Sequence, residues 1–385
     1  MKKLYRVGLF MEKNIGFNRN VIEGIYAFSQ RKKNWVFYDA SPSVDLVETC
    51  KHWKLDAAVC HINTDAVAKA AEELNIPVVN TTDSLVGCKL PLVDVNHFKV
   101  GEMAGTYLKS LGVKSFGYLG HATLQYSKQR QSAFLEAVSD VSEAHVCHVG
   151  YTPTITTMEE ARESRRTMRK WVESLPKPTA VFCSNDIPAR DLADVCLELG
   201  IAVPKDISIL GVDNDFVECR LSRPPLSSID IPAARVGYTA AEMIDDMLNG
   251  KKLRYDGHYT PDPVRVVERE STTLNAVQDE NVRKVLDYID ANISEVQKVE
   301  QLVALVPLSR RSLELRVQAC LGRSLWDIVL EKRINYARVL LQQNELSLQQ
   351  VSDACGFASS RRFYAIFRKY CGCNPTAFRK MKTLT

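Results

Sequence analysis

Leu348-Gln349-Gln350-Val351-Ser352-Asp353-Ala354-Cys355-Gly356-Phe357-Ala358-Ser359-Ser360-Arg361-Arg362-Phe363-Tyr364-Ala365-Ile366-Phe367-Arg368-Lys369-Tyr370 is the stretch on which the fold turns. Leu348, Val351 and Cys355 recur at helical spacing and predict a short helix. Gly356 stands where that helix must end in the left-handed conformation. Ser359 stands where the next helix needs a cap. Phe363, Ile366, Phe367 and Tyr370 then form one apolar stripe, so a second helix follows a tight turn.

The same plan occurs upstream. Residues 299–306 predict a short helix, Pro307-Leu308-Ser309 a turn with Ser309 as cap, and residues 310–321 a second helix. A longer helix over residues 324–342, apolar on most sides, joins the two pairs and is predicted to be central and buried. At about 1.5 Å per residue it spans about 27 Å, which sets the second helices of the pairs roughly one DNA turn apart. Each second helix turns its apolar stripe inward. The outer face of the first carries Arg311, Glu314, Leu315 and Gln318, and that of the second Arg361, Tyr364, Ala365 and Arg368. Arginines near the start of a helix held by a turn against its partner are what reading a major groove requires. Charge agrees. Residues 308–385 hold 14 Lys/Arg against 5 Asp/Glu, whereas residues 1–277 hold 33 against 35. A near-neutral large part tied to a small basic one suggests that the basic end faces a polyanion, with a solvated basic surface as the plainer alternative.

The whole chain has 385 residues, enough for two or three domains. Its 45% hydrophobic and 25% charged content excludes disorder and collagen-like repeats. No apolar run approaches the length of about eighteen residues that a membrane helix needs. The start of the chain lacks the apolar core of a signal peptide, and eleven scattered cysteines make no disulfide framework. A reduced, cytoplasmic protein is the expectation.

Residues 279–381 resemble the AraC-type regulators. The stretches that carry this are Leu308-Ser309-Arg310-Arg311-Ser312-Leu313-Glu314, Gly322-Arg323-Ser324, Arg333-Ile334-Asn335-Tyr336-Ala337-Arg338, Cys355-Gly356-Phe357 and Asn374-Pro375-Thr376-Ala377-Phe378-Arg379. The resemblance implies a double helix-turn-helix DNA reader. Its contact set would be Ser309, Arg310, Arg311, Glu314 and Leu315 on the first unit, and Ser360, Arg361, Arg362, Tyr364 and Arg368 on the second. Family members often carry Arg at the position of Leu315 and sometimes at that of Ala365, and usually Phe at that of Val317. Base reading therefore shifts toward Arg310, Arg311, Arg361 and Arg362, with Leu315 suited to a thymine methyl.

From residue 5 to about 270 short β-rich runs alternate with amphipathic stretches. The runs include Tyr5–Phe10, Trp35–Ala40, residues 57–62, 77–81, 115–120, 179–184 and 208–213. They are nearly continuous in apolar residues, as in strands covered on both faces. The alternation predicts parallel sheets wound by helices. This part resembles the periplasmic-binding-protein-like sensors of the LacI and galactose-repressor group. The carrying motifs are Val93-Asp94-Val95-Asn96, Arg130-Gln131-Ser132-Ala133-Phe134, Ala180-Val181-Phe182-Cys183-Ser184-Asn185-Asp186, Gly211-Val212-Asp213-Asn214 and Pro224-Pro225-Leu226-Ser227-Ser228-Ile229-Asp230. The resemblance implies two Rossmann-like lobes closing on a small ligand. Matching positions give Arg130, Asn185, Asp213 and Asp230 as polar ligands, Phe17 as a stacking ring with Arg19 close by, and Asn80 or Thr81 as a further contact. Sugar hydroxyls need groups that donate and accept together, and ring faces need aromatics. Plainer roles stand beside these: Asn185 and Asp213 as helix caps, Asp230 as a hinge-turn residue, Phe17 as helix packing, Asp94 as a structural carboxylate.

A LacI-type sensor followed by an AraC-type reader resembles the xylose operon regulators. Gly16-Phe17-Asn18-Arg19-Asn20 and Pro263-Val264-Arg265-Val266-Val267 look like theirs. The expected organisation is an α/β two-lobed periplasmic-binding-protein-like sensor over residues 1–271, a linker over 272–278 and an all-α double helix-turn-helix domain over 279–385. The expected function is a sugar-responsive transcription regulator, with xylose favoured as effector and activation favoured as outcome. Its partners would be a double-stranded DNA operator, a second copy of the chain as a homodimer, RNA polymerase, and no membrane. A sensor of a hexose or purine is the alternative, and a sugar-metabolising enzyme the more distant one. No nucleotide motif, nucleophile elbow or zinc motif occurs in the sequence, so neither enzyme, cofactor nor metal is expected. Cys371-Gly372-Cys373 has no second cysteine pair, and Asp213-Asn214-Asp215 lacks the glycine and terminal Glu of a calcium loop.

Overall fold

Two six-stranded sheets organise the first 272 residues of the computed structural model. It describes residues 3–32, 34–141, 144–150, 157–273, 279–321, 323–343, 346–371, 374–376 and 378–379. The chain forms two compact units, Met1–Thr272 and Thr273–Thr385. In the first unit, one lobe is built on β1 (Tyr5–Phe10), β2 (Trp35–Ala40), β3 (Ala57–Cys60), β4 (Val78–Asn80), β5 (Leu92–Val93) and β11 (His258–Tyr259), in the order β11-β5-β4-β3-β1-β2. The other uses β6 (Phe116–Gly120), β7 (His145–His148), β8 (Thr179–Cys183), β9 (Ile207–Val212), β10 (Ser227–Asp230) and β12 (Arg265–Val267), in the order β12-β10-β9-β8-β6-β7. All pairs are parallel except β10 with β12.

The apolar runs explain the sheets. Every residue of β3, β6, β8 and β9 is buried, as continuous hydrophobicity requires of strands covered on both faces. β2 departs from that expectation, and β7, which is not an apolar run, shares its position. Each lies at an edge with one neighbour, and apart from the buried Cys147 their residues stay half-buried or exposed. The chain passes between lobes three times: from β5 to α4 (His97–Ser110), from β10 to α9 (Ala233–Leu248), and from β11 to β12. α1 (Gly16–Lys32) packs on α9 at a distance only glycine permits. A Cβ on Gly24 would lie 1.9 Å from the Ala234 carbonyl oxygen, and one on Gly237 would lie 1.8 Å from that of Val21.

The expected linker begins later than predicted. Thr272 and its neighbour Ser271 are buried, and Ser271 Oγ donates to the Ile209 carbonyl (2.6 Å). Their hydroxyls are used inside the sensor, so polarity there does not mean exposure. Residues 274–278 of that linker, and Gly372 and Cys373 of the cysteine pair, lie outside the described residues.

The second unit is helical: α10 (Glu280–Ala291), α11 (Val299–Val303), α12 (Arg310–Leu321), α13 (Leu325–Gln343), α14 (Leu348–Ala354) and α15 (Ser360–Cys371). α11 stops three residues short of the predicted end. Leu305 and Val306 bond to carbonyls three residues back, a tightening that precedes Pro307, which has no N–H to offer. α13 is the central helix its apolar pattern predicts. Leu325, Ile328 and Val329 join the core of the first helix-turn-helix, and Leu330, Ile334, Ala337 and Leu341 join that of the second. Among the described residues no helix is long and apolar enough to cross a membrane.

Candidate functional sites: a cleft between the lobes and an arginine-bearing helical face

The residues that follow the parallel strands meet at one place. His61 follows β3, His121 follows β6, Ser184 and Asn185 follow β8, and Asp213 follows β9. Parallel strands deliver ligand groups at their carboxyl ends. With Phe17 from α1, Arg130 and Tyr126 from α5 (Gln125–Val138) and Thr82 and Ser84 from the loop after β4, His61, His121, Asn185 and Asp213 line a cavity of about 90 Å³. Phe17, Arg130, Asn185 and Asp213 are thus brought together.

The polar wall is a connected chain. Tyr126 OH donates to Asn185 Oδ1 (3.1 Å), and Asn185 Nδ2 donates to Asp213 Oδ2 (3.0 Å). The Arg130 guanidinium lies 5.1 Å from the Tyr126 ring centre. Its Nη1 donates to the Ser184 carbonyl and its Nε to His97 Nδ1 (3.3 Å). Because Arg130 can only donate, that His97 nitrogen accepts, and His97 Nε2 donates to Asp94 Oδ2 (3.0 Å). Asp94 also accepts from the amides of Asp83 (2.5 Å) and Val95 (2.7 Å). Burial by itself would raise its carboxyl. The His97 ring and the two amides outweigh burial and hold it below the ordinary carboxylate value. Asp94 thus holds the His97 ring and the amides of Asp83 and Val95, and it also lines the cavity. Burial pushes Asp213 the other way, up to about 6, although Arg130 and Asn185 oppose this. Burial pulls both His61 and His121 down to about 4.

Arg19, Asp230, Asn80 and Thr81 are not among the residues lining the cavity. Arg19 ties the lobes together instead, donating to Asp215 Oδ2 (2.8 Å) and to the carbonyls of Lys13 and Asn14. Asp230 ends β10, where its carbonyl accepts from Val264 N (2.8 Å). Asn80 spends both ends of its amide on Ile62 and Thr82, and Thr81 Oγ1 donates to Cys60 O. Sequence reasoning missed His61, His97, His121 and Tyr126. The signal for two of them is position, one residue past a buried strand; His97 and Tyr126 carry no such mark.

The helical face is equally specific. Ser309 Oγ accepts from Ser312 N (3.2 Å) and Ser359 Oγ from Arg362 N (3.3 Å), so both second helices are capped as predicted. Arg311, Leu315 and Gln318 on α12, and Arg361, Ala365 and Arg368 on α15, are exposed. Leu315 is 61% exposed, which an aliphatic side chain gains nothing from in water. Arg311, Arg361 and Arg368 form no ion pair among the described residues. Arg310 differs: it bonds to Glu300 (2.5 Å) and Glu314 (2.9 Å), so both Arg310 and Glu314 are engaged. Ser360 Oγ bonds to Gln349 Oε1, Tyr364 OH to Thr376 Oγ1 (3.2 Å), and Arg362 is exposed.

Residues 106–272 match the family described as periplasmic binding protein-like domain, and residues 302–381 match a helix-turn-helix domain family. Fold and sites thereby define a class: a transcription regulator, not an enzyme, in which a periplasmic-binding-protein-like sugar sensor is joined to an AraC-type DNA-binding module. Within that class the chain resembles the xylose operon regulators over nearly its whole length. It is 26% identical over 389 residues to the xylose operon regulatory protein of Escherichia coli (strain K12), covering 99% of this chain and 98% of that protein. The protein of the same name from Haemophilus influenzae (strain ATCC 51907 / DSM 11121 / KW20 / Rd) is 25% identical over 386 residues, covering 98% and 99%. A solved xylose-binding transcription activator is 25% identical, covers 99% of each chain and superposes with a TM-score of 0.62. A periplasmic binding protein/LacI regulator from Alkaliphilus metalliredigens QYMF, complexed with D-xylulofuranose, shares the sensor fold. Its TM-score is 0.57 at 18% identity, over 69% of this chain and 98% of that one.

Proposed function

We propose that this regulator senses a pentose, D-xylose by preference, and activates genes for its use. The observation that carries the reading is the small cavity in which Phe17, Arg130, Asn185 and Asp213 converge. A cavity of about 90 Å³ has room for several water-sized groups, which suits a small polyol. Arg130, Asn185 and Asp213 offer donors and acceptors for hydroxyls, and Phe17 offers an apolar face. The relatives named above are xylose operon regulators, which supports the same ligand.

In this reading the protein acts in the cytoplasm as a homodimer. Sugar holds the lobes closed, and closure presents four helix-turn-helix units to spaced half-sites and to RNA polymerase. A sugar that favours the competent state by about 100-fold shifts the balance by about 2.7 kcal/mol. DNA affinity should fall steeply with salt because arginines displace counterions. The test is the variant Arg361→Ala with promoter DNA from a xylose-use gene cluster. Specific DNA affinity should fall at least tenfold while calorimetric D-xylose affinity stays unchanged. Unaltered DNA affinity would remove α15 as a reading helix, and absence of D-xylose binding would remove the effector.

A further inference from the structure

The second lobe supplies Arg130, Asn185 and Asp213 to the cavity, and a ligand that holds two lobes together needs polar contacts from the first as well. His61 stands there. It follows β3, its backbone N donates to the Phe10 carbonyl (2.9 Å), and the next residue, Ile62, donates to Asn80 Oδ1 (3.3 Å). The main chain is thus pinned on both sides of the side chain. The ring meets Phe17 edge-on, centroids 6.3 Å apart at 62°, which fixes its plane. Nδ1 is buried without a hydrogen-bond partner among the described residues. The ring lines the cavity beside Asn63 and Thr82. A buried polar atom left unmet is unfavourable unless something outside the protein meets it.

We propose that His61 is a ligand-binding and specificity-determining residue of the first lobe, whose ring nitrogen hydrogen-bonds one hydroxyl of a neutral polyol in the cavity. This rests on the sugar-sensor reading and deepens it. Burial keeps the imidazole neutral at physiological pH, against the pull of Asp94. A neutral ring has one donor and one acceptor nitrogen. A hydroxyl can answer either. A carboxylate can answer only the donor, so the ring selects hydroxyl over anion. His61 and the Arg130–Asn185–Asp213 group then hold the ligand from opposite lobes.

The experiment is titration calorimetry of the full chain with D-xylose, L-arabinose, D-ribose and D-glucose, using wild type, His61→Phe and His61→Asn. Phenylalanine keeps a ring against Phe17 and removes both nitrogens; asparagine restores a polar atom near the place of Nδ1. His61→Phe should weaken D-xylose binding at least tenfold, and His61→Asn should recover part of that loss. The sugar-free melting temperature of His61→Phe should equal or exceed that of wild type, because an unmet polar atom is gone. Deoxy analogues of D-xylose supply the second arm. One missing hydroxyl should weaken binding to wild type and make no further difference to His61→Phe. If His61→Phe binds D-xylose within twofold of wild type, or if every missing hydroxyl weakens both proteins alike, the assignment is wrong. If wild type binds none of the four sugars, the sugar-sensor reading fails and this assignment with it.

Discussion

Three carboxyl groups near the ligand cavity are held in different states by their surroundings. Asp94 is kept ionised by His97 and two amides despite burial. Asp213 is pushed up to about 6, chiefly by burial. Asp186, beneath it, is raised well above the carboxylate range by burial and by Asp213, while its Oδ2 accepts from Asp215 N (2.8 Å). The sign of the pH dependence follows. A carboxyl raised in the folded state binds a proton there more readily than in the unfolded chain. Its contribution to stability is full below pH 4 and is lost as pH rises through about 6. His61 and His121, lowered to about 4, act in reverse: their contribution is present above the ordinary histidine value and lost as pH falls toward 4. The variant Asp213→Asn should therefore gain on the order of 1–3 kcal/mol at pH 7.5. Between pH 6.5 and 4 it should lose stability more steeply than wild type, because one group opposing the imidazoles is gone. Thermal melting across that pH series checks both. A lower melting temperature at pH 7.5 would mean that Arg130 stabilises the ionised form by more than burial penalises it. Sugar affinity should fall in the same variant, since an amide is a weaker acceptor than a carboxylate.

Elements were legible where one residue has one job. Gly356 is the clearest case: its φ of +74° ends α14, and a Cβ there would lie 2.4 Å from the Ser294 carbonyl oxygen and 2.7 Å from Arg333 Nη2. The left-handed backbone alone costs about 1–2 kcal/mol with a side chain, before the contact is counted. Gly356→Ala should destabilise the helical unit by at least about 2 kcal/mol and abolish specific DNA binding, leaving sugar affinity intact. Differential scanning calorimetry, with a separate sugar titration, reads the two units apart; an unshifted transition would deny Gly356 its role. The helix-turn-helix pairs and the buried strands were visible in the same way, through spacing and continuous hydrophobicity. Arg333 was not. It is buried and donates to the carbonyls of Ile293 and Val296, a use of arginine that no sequence period announces. Nor was the pairing of Arg310 with Glu300, because the partner lies on another helix. Arg19 and Asp230 show the converse: a motif marks a neighbourhood, while tertiary packing decides which side chain reaches the cavity.

At the scale of the whole molecule, the sensor's exit is tied to the strand that Asp213 follows. Ile209 on β9 donates to the Ser271 carbonyl (2.8 Å), and Ser271 Oγ donates back to the Ile209 carbonyl (2.6 Å). Thr272 shares hydroxyl bonds with Tyr107 (2.7 Å) and Ser227 (2.6 Å). Arg269 reaches Asn214, the residue after Asp213, through Nη2 to Oδ1 (2.6 Å), and holds the Leu226 carbonyl with Nη1 (2.7 Å). Asp213 and Asn214 both have positive φ, so this corner is a held conformation and not a relaxed one. Arg269 thus holds the residue next to Asp213 from a position four residues before the second unit begins, so under the proposed function a shift of Asp213 on binding sugar would reach Arg269. Arg269→Ala should leave D-xylose affinity within about threefold of wild type while the sugar-dependent change in DNA affinity shrinks by about tenfold or more. Coupling between two bound ligands is reciprocal, so DNA must lose its effect on sugar affinity by the same factor. Fluorescence anisotropy with labelled DNA, with and without sugar, gives one side of the cycle, and sugar calorimetry with and without DNA gives the other. If both sides keep the wild-type factor, the signal leaves the sensor by another route. If DNA affinity falls equally with and without sugar, Arg269 supports the DNA-binding state itself and not its control.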